Sequence, residues 1–363
     1  MPKKHSPGKY FLCIAYALFC GVGTAYLALS LFNNAEVKLV SRFPAVASRG
    51  QQATAISVAV VASSAPVSVV PVVDTLKSAS TTTTLAFVGD IMLDRGVKQS
   101  VLKNSAGDYN SVFSDISRIK DSDILVGNLE GPVSDRGFDM KNSYSFRMAP
   151  AVVPVLAAQG FDVLSVANNH AGDWGKPAFA DTLVKFQNSG IALVGGGNSL
   201  VEAGQVKIIE KNGVKFGFLS FSDVGPNWLK AGSTTPGILI AGDPETPDII
   251  RQASTACDVL SVSFHFGNEY ETSPSWRQRE LAQMAIDNGA KIIVGTHPHV
   301  VEPVEMYRGG VIMYSLGNFV FDQYFSTSTM NGLVVKVHMK GKEIDSVEKL
   351  NAKLDPSFRV RVE

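Results

Sequence analysis

The chain has 363 residues, of which 33 are Lys or Arg and 33 are Asp or Glu, so its formal net charge is zero; apolar residues make up 45% and charged residues 18%. That balance fits a folded chain and excludes an acidic solvating tail or a generally basic nucleic-acid binder. The charges also separate along the chain: the first 84 residues carry seven basic and two acidic side chains, which leaves the remainder with five excess negative charges and disfavours nucleic acid as its partner.

Residues 1–10, with Lys3, Lys4 and Lys9, precede an uncharged run of 22 residues from Phe11 to Phe32. At the helical rise this run spans roughly 33 Å, enough to cross the hydrocarbon core of a bilayer. A cleaved signal peptide is the competing reading, with Ala28-Leu29-Ser30 as a weak cleavage site, but its apolar region is normally about 7–15 residues long. Length favours a single transmembrane helix over 11–32, with residues 1–10 as a cytoplasmic stub and everything after Phe32 outside the membrane. Residues 33–84, rich in Ala, Val, Ser, Thr and Pro, read as a disordered low-complexity linker. Cys13 and Cys20 lie in the apolar run, so Cys257 has no disulfide partner beyond it and reads as a small buried hydrophobe.

From residue 85 to 363 short runs of Val, Ile and Phe alternate with helical-looking stretches, the signature of an α/β fold. The predicted strands are Leu85 to Val88, Ile124 to Val126, Val163 to Val166, Ile191 to Val194, Val259 to Phe264, Ile292 to Val294 and Val311 to Tyr314. Val112, Ile116 and Ile119 repeat with helical spacing, as do Leu281, Met284 and Ala285. A hairpin is predicted from Val206 to Phe221 around Asn212-Gly213, and a second antiparallel pair at Leu333 to His338 and Val347 to Leu350. Gly195-Gly196-Gly197 lacks the Lys-Ser or Lys-Thr of a nucleotide-binding loop and reads as a tight turn.

In open α/β sheets ligands gather at the carboxyl ends of strands. Those ends carry Asp90, then Asn128 and Glu130, then Asn168-Asn169-His170, then His265, then His297-Pro298-His299, then Asn318. Four of the six histidines fall at such ends, while His5 and His338 do not. Imidazoles and carboxylates converging from separate strands suit a divalent transition metal such as Zn, Mn or Fe, and a carboxylate between two ions bridges them. Taken singly, a His after one strand is most often a satisfied structural residue, and His297-Pro298-His299 reads as a polar loop. The recurrence at successive strand ends favours ligation.

Six motifs carry a family resemblance: Phe87-Val88-Gly89-Asp90-Ile91-Met92-Leu93, Gly127-Asn128-Leu129-Glu130-Gly131-Pro132, Ala167-Asn168-Asn169-His170 with Asp173 and Gly175, His265-Phe266-Gly267-Asn268-Glu269-Tyr270, Gly295-Thr296-His297-Pro298-His299-Val300, and Ser315-Leu316-Gly317-Asn318-Phe319-Val320-Phe321-Asp322. Together, and in this order, they resemble the bacterial capsule synthesis protein CapA family, which is associated with poly-γ-glutamate capsules. That family looks like a divergent relative of the calcineurin-like metallophosphoesterases. The resemblance implies a four-layer α/β/β/α sandwich and a site for one or two divalent ions. It implies Asp90, Glu130, Asn169, His265, His297 and His299 as metal ligands, and His170 as general acid or oxyanion stabiliser.

Two departures stand against the phosphoesterase pattern: Met92 replaces the histidine of an Asp-x-His motif, and Gly127-Asn128-Leu129-Glu130 replaces a Gly-Asp-x-x-Asp motif. Phe266 stands where the CapA pattern has tryptophan and is expected to keep an aromatic wall. Asn128, Asn168, Asp173, Glu269, Asn318 and Asp322 are expected to orient ligands or meet substrate, and Asp173 is expected to cap the segment after His170 or to orient its ring. Arg95 is expected to pair with a nearby acid or bind an anion.

The expected function is that of a bacterial, membrane-anchored, extracytoplasmic protein acting as a metal-dependent hydrolase or transferase on an anionic envelope polymer or its precursor. The alternative is a non-catalytic polymer-handling or assembly subunit beside capsule synthesis and export proteins.

Overall fold

The structure, a computed structural model, describes residues 82–363. The expected stub, transmembrane helix and nearly all of the linker lie outside these residues. Among the described residues no helix is long and apolar enough to cross a membrane.

Two sheets form the body, with strands numbered in chain order. The first runs β16 (Val360–Val362), β15 (Glu343–Leu354), β14 (Asn331–Lys340), β1 (Thr82–Ile91), β2 (Ile124–Leu129), β3 (Val163–Ser165) and β4 (Ala192–Val194), with β13 (Asn318–Val320) added alongside β1. The second runs β11 (Val304–Tyr307), β12 (Gly310–Met313), β10 (Ile292–Thr296), β9 (Val259–His265), β7 (Val214–Ser222) and β6 (Lys207–Lys211). The cores of both sheets are parallel, β1 to β4 in one and β7, β9, β10 and β12 in the other.

Strand sequence fixes the layering. In β1, Leu85 and Phe87 point to one side while Ala86 and Val88 point to the other, and all four are fully buried. β2, β7, β9 and β10 repeat this: Ile124, Phe216, Val259 and Ile292 join Phe87 in the cluster between the sheets. Their neighbours Leu125, Leu219, Leu260 and Ile293 face outward instead. A strand buried on both faces reads as a continuous apolar run, which is why these segments stand out in the sequence.

Helices cover the outer faces. Val97 and Val101 of α1 (Arg95–Asn104), Val152 and Leu156 of α3 (Val152–Ala158) and Phe179 of α4 (Gly175–Lys185) pack on the first sheet; the short α2 (Ser117–Lys120) also lies on this part of the chain. Ile250 and Ala253 of α6 (Thr246–Ala256), with Leu281 and Ala285 of α7 (Trp276–Asp287), pack on the second. The four-residue α5 (Leu200–Ala203) precedes the β6–β7 hairpin. The layers are helix, sheet, sheet, helix. Each fully buried large side chain contributes about 1.5–3 kcal/mol, so the three apolar interfaces hold the strand ends in fixed positions.

Some local expectations are corrected. The Val112, Ile116 and Ile119 spacing forms no continuous helix: a single turn of 3-10 helix at Tyr109–Val112 is separated from α2 because Asp115 takes hydrogen bonds from Ser117 N and Oγ. Only Gly195 turns, at φ 81°, whereas Gly196–Gly197 forms β5 and pairs with β8 (Gly237–Ile238). Cys257 is half-buried at the end of α6, its thiol directed to Ala253 O at 3.4 Å. β1 begins at Thr82, three residues before the expected start.

Candidate metal centre

The carboxyl ends of the two parallel cores meet at one place. Asp90 is the penultimate residue of β1, Asn128 lies near the end of β2, and His265 closes β9. Asn168, Asn169 and His170 follow β3, while His297 and His299 follow β10. Asn318 opens β13 rather than trailing a strand, which corrects its expected placement.

Asn128 joins the two central carboxylates. Its Nδ2 donates to Asp90 Oδ1 at 2.8 Å and approaches Glu130 Oε2 at 3.3 Å, while its Oδ1 accepts from Asn168 Nδ2 at 3.2 Å. Asn168 also donates to Leu129 O at 2.8 Å, so it braces β2 from inside. Asp90 Oδ2 lies 3.1 Å from His299 Nδ1 and accepts from His297 N at 3.3 Å. His299 Nδ1 also meets Asn318 Oδ1 at 3.0 Å, and its Nε2 stands 3.6 Å from Glu130 Oε1. His265 is held at both nitrogens, Nδ1 by Thr296 Oγ1 at 2.9 Å and Nε2 by Asn169 Oδ1 at 2.8 Å.

The loop carrying His297 and His299 is strained. Both have positive φ, 100° and 59°, a region that costs a side-chain-bearing residue of order 1–3 kcal/mol and persists only where surrounding contacts enforce it. Tyr270 N donates to Pro298 O at 2.8 Å and so ties the Gly267–Tyr270 turn to this loop. The tie brings Glu269 to the histidines. One oxygen of Glu269 and one ring nitrogen each of His297 and His299 lie within 4.8 Å of one another. Asp90, Glu130 and His265 form a second such group.

The electrostatics are those of a site built around a cation. Burial pushes the Glu130 carboxyl well above the usual carboxylate range, and the neighbouring Asp90 adds to the shift. Burial, followed by neighbouring His297, His299 and His170, holds His265 well below the ordinary imidazole value. His297 is pushed down to about 3 by burial first and His299 second. Neutral imidazoles are the ligating form. Glu130 Oε1, Asn168 Oδ1 and His297 Nδ1 are buried with no hydrogen-bond partner among the described residues. Two buried carboxylates, neutral imidazoles and unpartnered donor atoms fit a divalent ion, whose charge would compensate Asp90 and Glu130.

His170 stands beside this cluster. Asp173 Oδ2 accepts from its Nδ1 at 2.8 Å, and its Nε2 is 3.9 Å from Glu130 Oε1. Asp173 is itself fully buried and also accepts from Phe146 N at 2.8 Å and Asn142 Nδ2 at 2.7 Å. The Phe146 ring lies 4.0 Å from the imidazole, centroid to centroid. The motifs do not reveal that Phe146 and Thr296 act on the site's imidazoles; Phe146 lies in an irregular loop with no periodicity to flag it.

Asp322 lines the cavity beside this cluster, while two other motif residues lie in the core. Asp322 is turned toward α1, where it accepts from Gly96 N at 2.9 Å and pairs with Arg95 Nε at 3.3 Å. Phe266 does not wall the site: it is fully buried, stacks on Phe264 with centroids 5.5 Å apart and joins the core under α6 and α7. Met92 is also fully buried, and its sulfur takes the Asp94 N–H at 3.2 Å.

Comparison with known proteins places this arrangement. The chain is 41% identical to the PGA biosynthesis protein CapA of Bacillus subtilis (strain 168) over 260 residues, 70% of this chain and 67% of that protein. It is 36% identical to the capsule biosynthesis protein CapA of Bacillus anthracis over 283 residues, 74% and 67% of the two chains. Among solved structures, a hypothetical protein from Thermus thermophilus superposes with a TM-score of 0.47 at 15% identity, covering 75% of this chain and 99% of that one. The sequence profile of the bacterial capsule synthesis protein PGA_cap matches residues 84–323, which span every motif of the site, and the chain belongs to that family.

Proposed function

We propose that the protein acts in capsule or poly-γ-glutamate biosynthesis as a metal-dependent hydrolase or transferase of the metallophosphoesterase type. The two CapA relatives support the process, and the layer order with its strand-end ligands supports the chemistry. The single observation that carries the reading is the unpartnered Glu130 Oε1, buried beside Asp90 and within 3.6 Å of His299. A buried carboxylate oxygen without a donor is costly unless a cation completes it. The remaining localisation and partner readings belong to this proposal: a membrane anchor over 11–32, an extracytoplasmic domain, and capsule synthesis or export proteins alongside.

Asp90, Glu130, Asn169, His265, His297 and His299 would hold one or two ions, with Glu269 beside the two histidines of the last motif. When bound, such an ion supplies Lewis-acid polarisation of a phosphoryl or carbonyl oxygen. The rest is the work of side chains. Asp173 fixes the proton on His170 Nδ1, so a protonated His170 presents Nε2–H as donor to a leaving oxygen or nitrogen. Phe146 packed on the ring limits its rotation and keeps water from that face.

The test is a His170→Ala variant assayed on phosphodiester and γ-glutamyl substrates, with its metal content measured in parallel. Lost turnover with retained metal supports the proposal. One observation favours the second reading, a non-catalytic polymer-handling subunit: Met92 is directed at Asp94 N and not available as the missing histidine's substitute. Unchanged capsule formation in cells carrying His170→Ala would select that reading.

A further inference from the structure

Beside the metal centre lies a cavity of about 240 Å³. Tyr144 and Tyr270 stand at its rim, 62% and 44% exposed, and the nearly buried His299 lies at its inner end with His170. Arg95 is the one permanent cation among its described lining residues. Its placement is enforced. Arg95 opens α1 at φ 47°, a conformation unfavourable for a side-chain-bearing residue, and the next residue's N–H is fixed by Asp322 Oδ2.

The guanidinium is held on one edge only. Nε pairs with Asp322 Oδ2 at 3.3 Å, while the central carbon sits 5.5 Å from the Tyr144 ring centroid and 5.3 Å from that of Phe146. Among the described residues its two terminal nitrogens donate no hydrogen bond. A planar cation oriented by an acid behind it and by two aromatic faces, with its donor fork free, is built for a bidentate anion. The other fixed charges of the cavity are two acids, and Asp322 Oδ1 is buried without a partner among the described residues. Asp322, whose side chain is 7% exposed, orients Arg95, and Glu269 belongs to the group with His297 and His299.

We propose that Arg95 is a specificity-determining residue that binds a carboxylate of the substrate and so presents the adjoining γ-linked amide or ester to His170 and the metal centre. Phe146 touches both the guanidinium and the His170 ring, so the anion site and the proton donor share one wall. The proposal rests on the reading of this centre as one that acts on an anionic envelope polymer. It adds that the recognised anion is a carboxylate, repeated along a γ-linked glutamate chain.

The experiment is calorimetric binding to the full-length protein loaded with manganese. The probes are a γ-linked pentaglutamate, the same peptide with its α-carboxylates amidated, and inorganic phosphate. The wild type is expected to bind the pentaglutamate and to prefer it over the amidated peptide. Arg95→Gln should weaken the pentaglutamate about tenfold or more and abolish that preference, as loss of a bidentate charged contact requires. Arg95→Lys, which keeps the charge near Asp322 but loses the fork, should recover only part. Unchanged manganese binding by each variant shows that the fold survives. Equal pentaglutamate binding by wild type and Arg95→Gln would overturn the role of Arg95 and leave the proposed function standing. Binding of phosphate but not pentaglutamate, lost in Arg95→Gln, would overturn the carboxylate assignment. A wild type that binds none of the three probes would overturn the proposal together with the reading beneath it.

Discussion

Asp173 Oδ2 and His170 Nδ1 lie 2.8 Å apart, and the carboxylate that makes this contact is fully buried while the imidazole reaches the cavity. Asp173 accepts two hydrogen bonds besides that of His170, from Asn142 Nδ2 and Phe146 N, so its position is fixed before His170 is considered. Asp173→Ala removes the acceptor that meets His170 Nδ1 and releases that orientation. Turnover should fall by about 10²–10⁴ with little change in KM and with metal content retained. Steady-state kinetics on the substrate found for the wild type checks this; a variant that is merely less stable and fully active would remove the positioning role.

Asn128 stands where the phosphoesterase pattern places an aspartate, and its amide donates to Asp90 and approaches Glu130. Asn128→Asp replaces that donor with a third carboxylate. The metal-free variant should be less stable than the wild type, because like charges then face each other in a buried site. Its affinity for manganese should rise, because the added negative charge faces the bound cation. Thermal unfolding with and without the ion reads both effects, and a variant whose melting point responds to manganese no more than the wild type contradicts the reading of Asn128 as a charge-sparing spacer.

Gly89 packs its α-carbon against the backbone of Gly317, and Asp90 N donates to Gly317 O at 3.0 Å. No room exists there for a methyl group. Gly89→Ala must part β1 from the Gly317 turn and carry Asp90 with it, costing about 1–3 kcal/mol of stability. Metal affinity should fall as well. Retained affinity at lowered stability would show that the position of Asp90 tolerates the shift.

Glu302 is 2% exposed, its Oε2 accepts from Gln278 Nε2 at 2.6 Å, and its Oε1 has no partner among the described residues. Burial pushes its carboxyl up to about 7 from an ordinary 4.5. The folded state therefore holds a proton that the unfolded state releases between those values. Glu302 carries no penalty below pH 4.5, a growing one as pH rises, and the full one, about 3 kcal/mol, above pH 7. Glu302→Gln removes the titration. The melting point of the variant relative to wild type should be higher by several degrees more at about pH 8 than at about pH 5. An offset that does not change with pH would contradict the assignment.

The parts of this molecule readable from sequence are those whose physics is local. β1, β2, β9 and β10 are buried on both faces, so they appear as apolar runs, and the chemistry-bearing residues appear where each run stops, as at Asp90 and His265. The β6–β7 hairpin is equally plain, because Asn212 and Gly213 both take positive φ. What depends on contacts between distant loops is not readable. Glu269 meets His297 and His299 only through the bond from Tyr270 to Pro298, and Phe146 reaches His170 from a loop without periodicity. Phe266 misled for a related reason: residues of a strand and its exit alternate between site and core, and a motif does not say which side a given residue takes.

The central claim is that Asp90, Glu130 and the clustered histidines hold a divalent ion. Elemental mass spectrometry of the purified full-length protein, beside a His297→Ala plus His299→Ala variant, tests it most directly. The wild-type chain should carry about one to two transition-metal ions, and a variant that remains folded should lose them. A wild-type protein that stays folded and metal-free after incubation with manganese and zinc would contradict it.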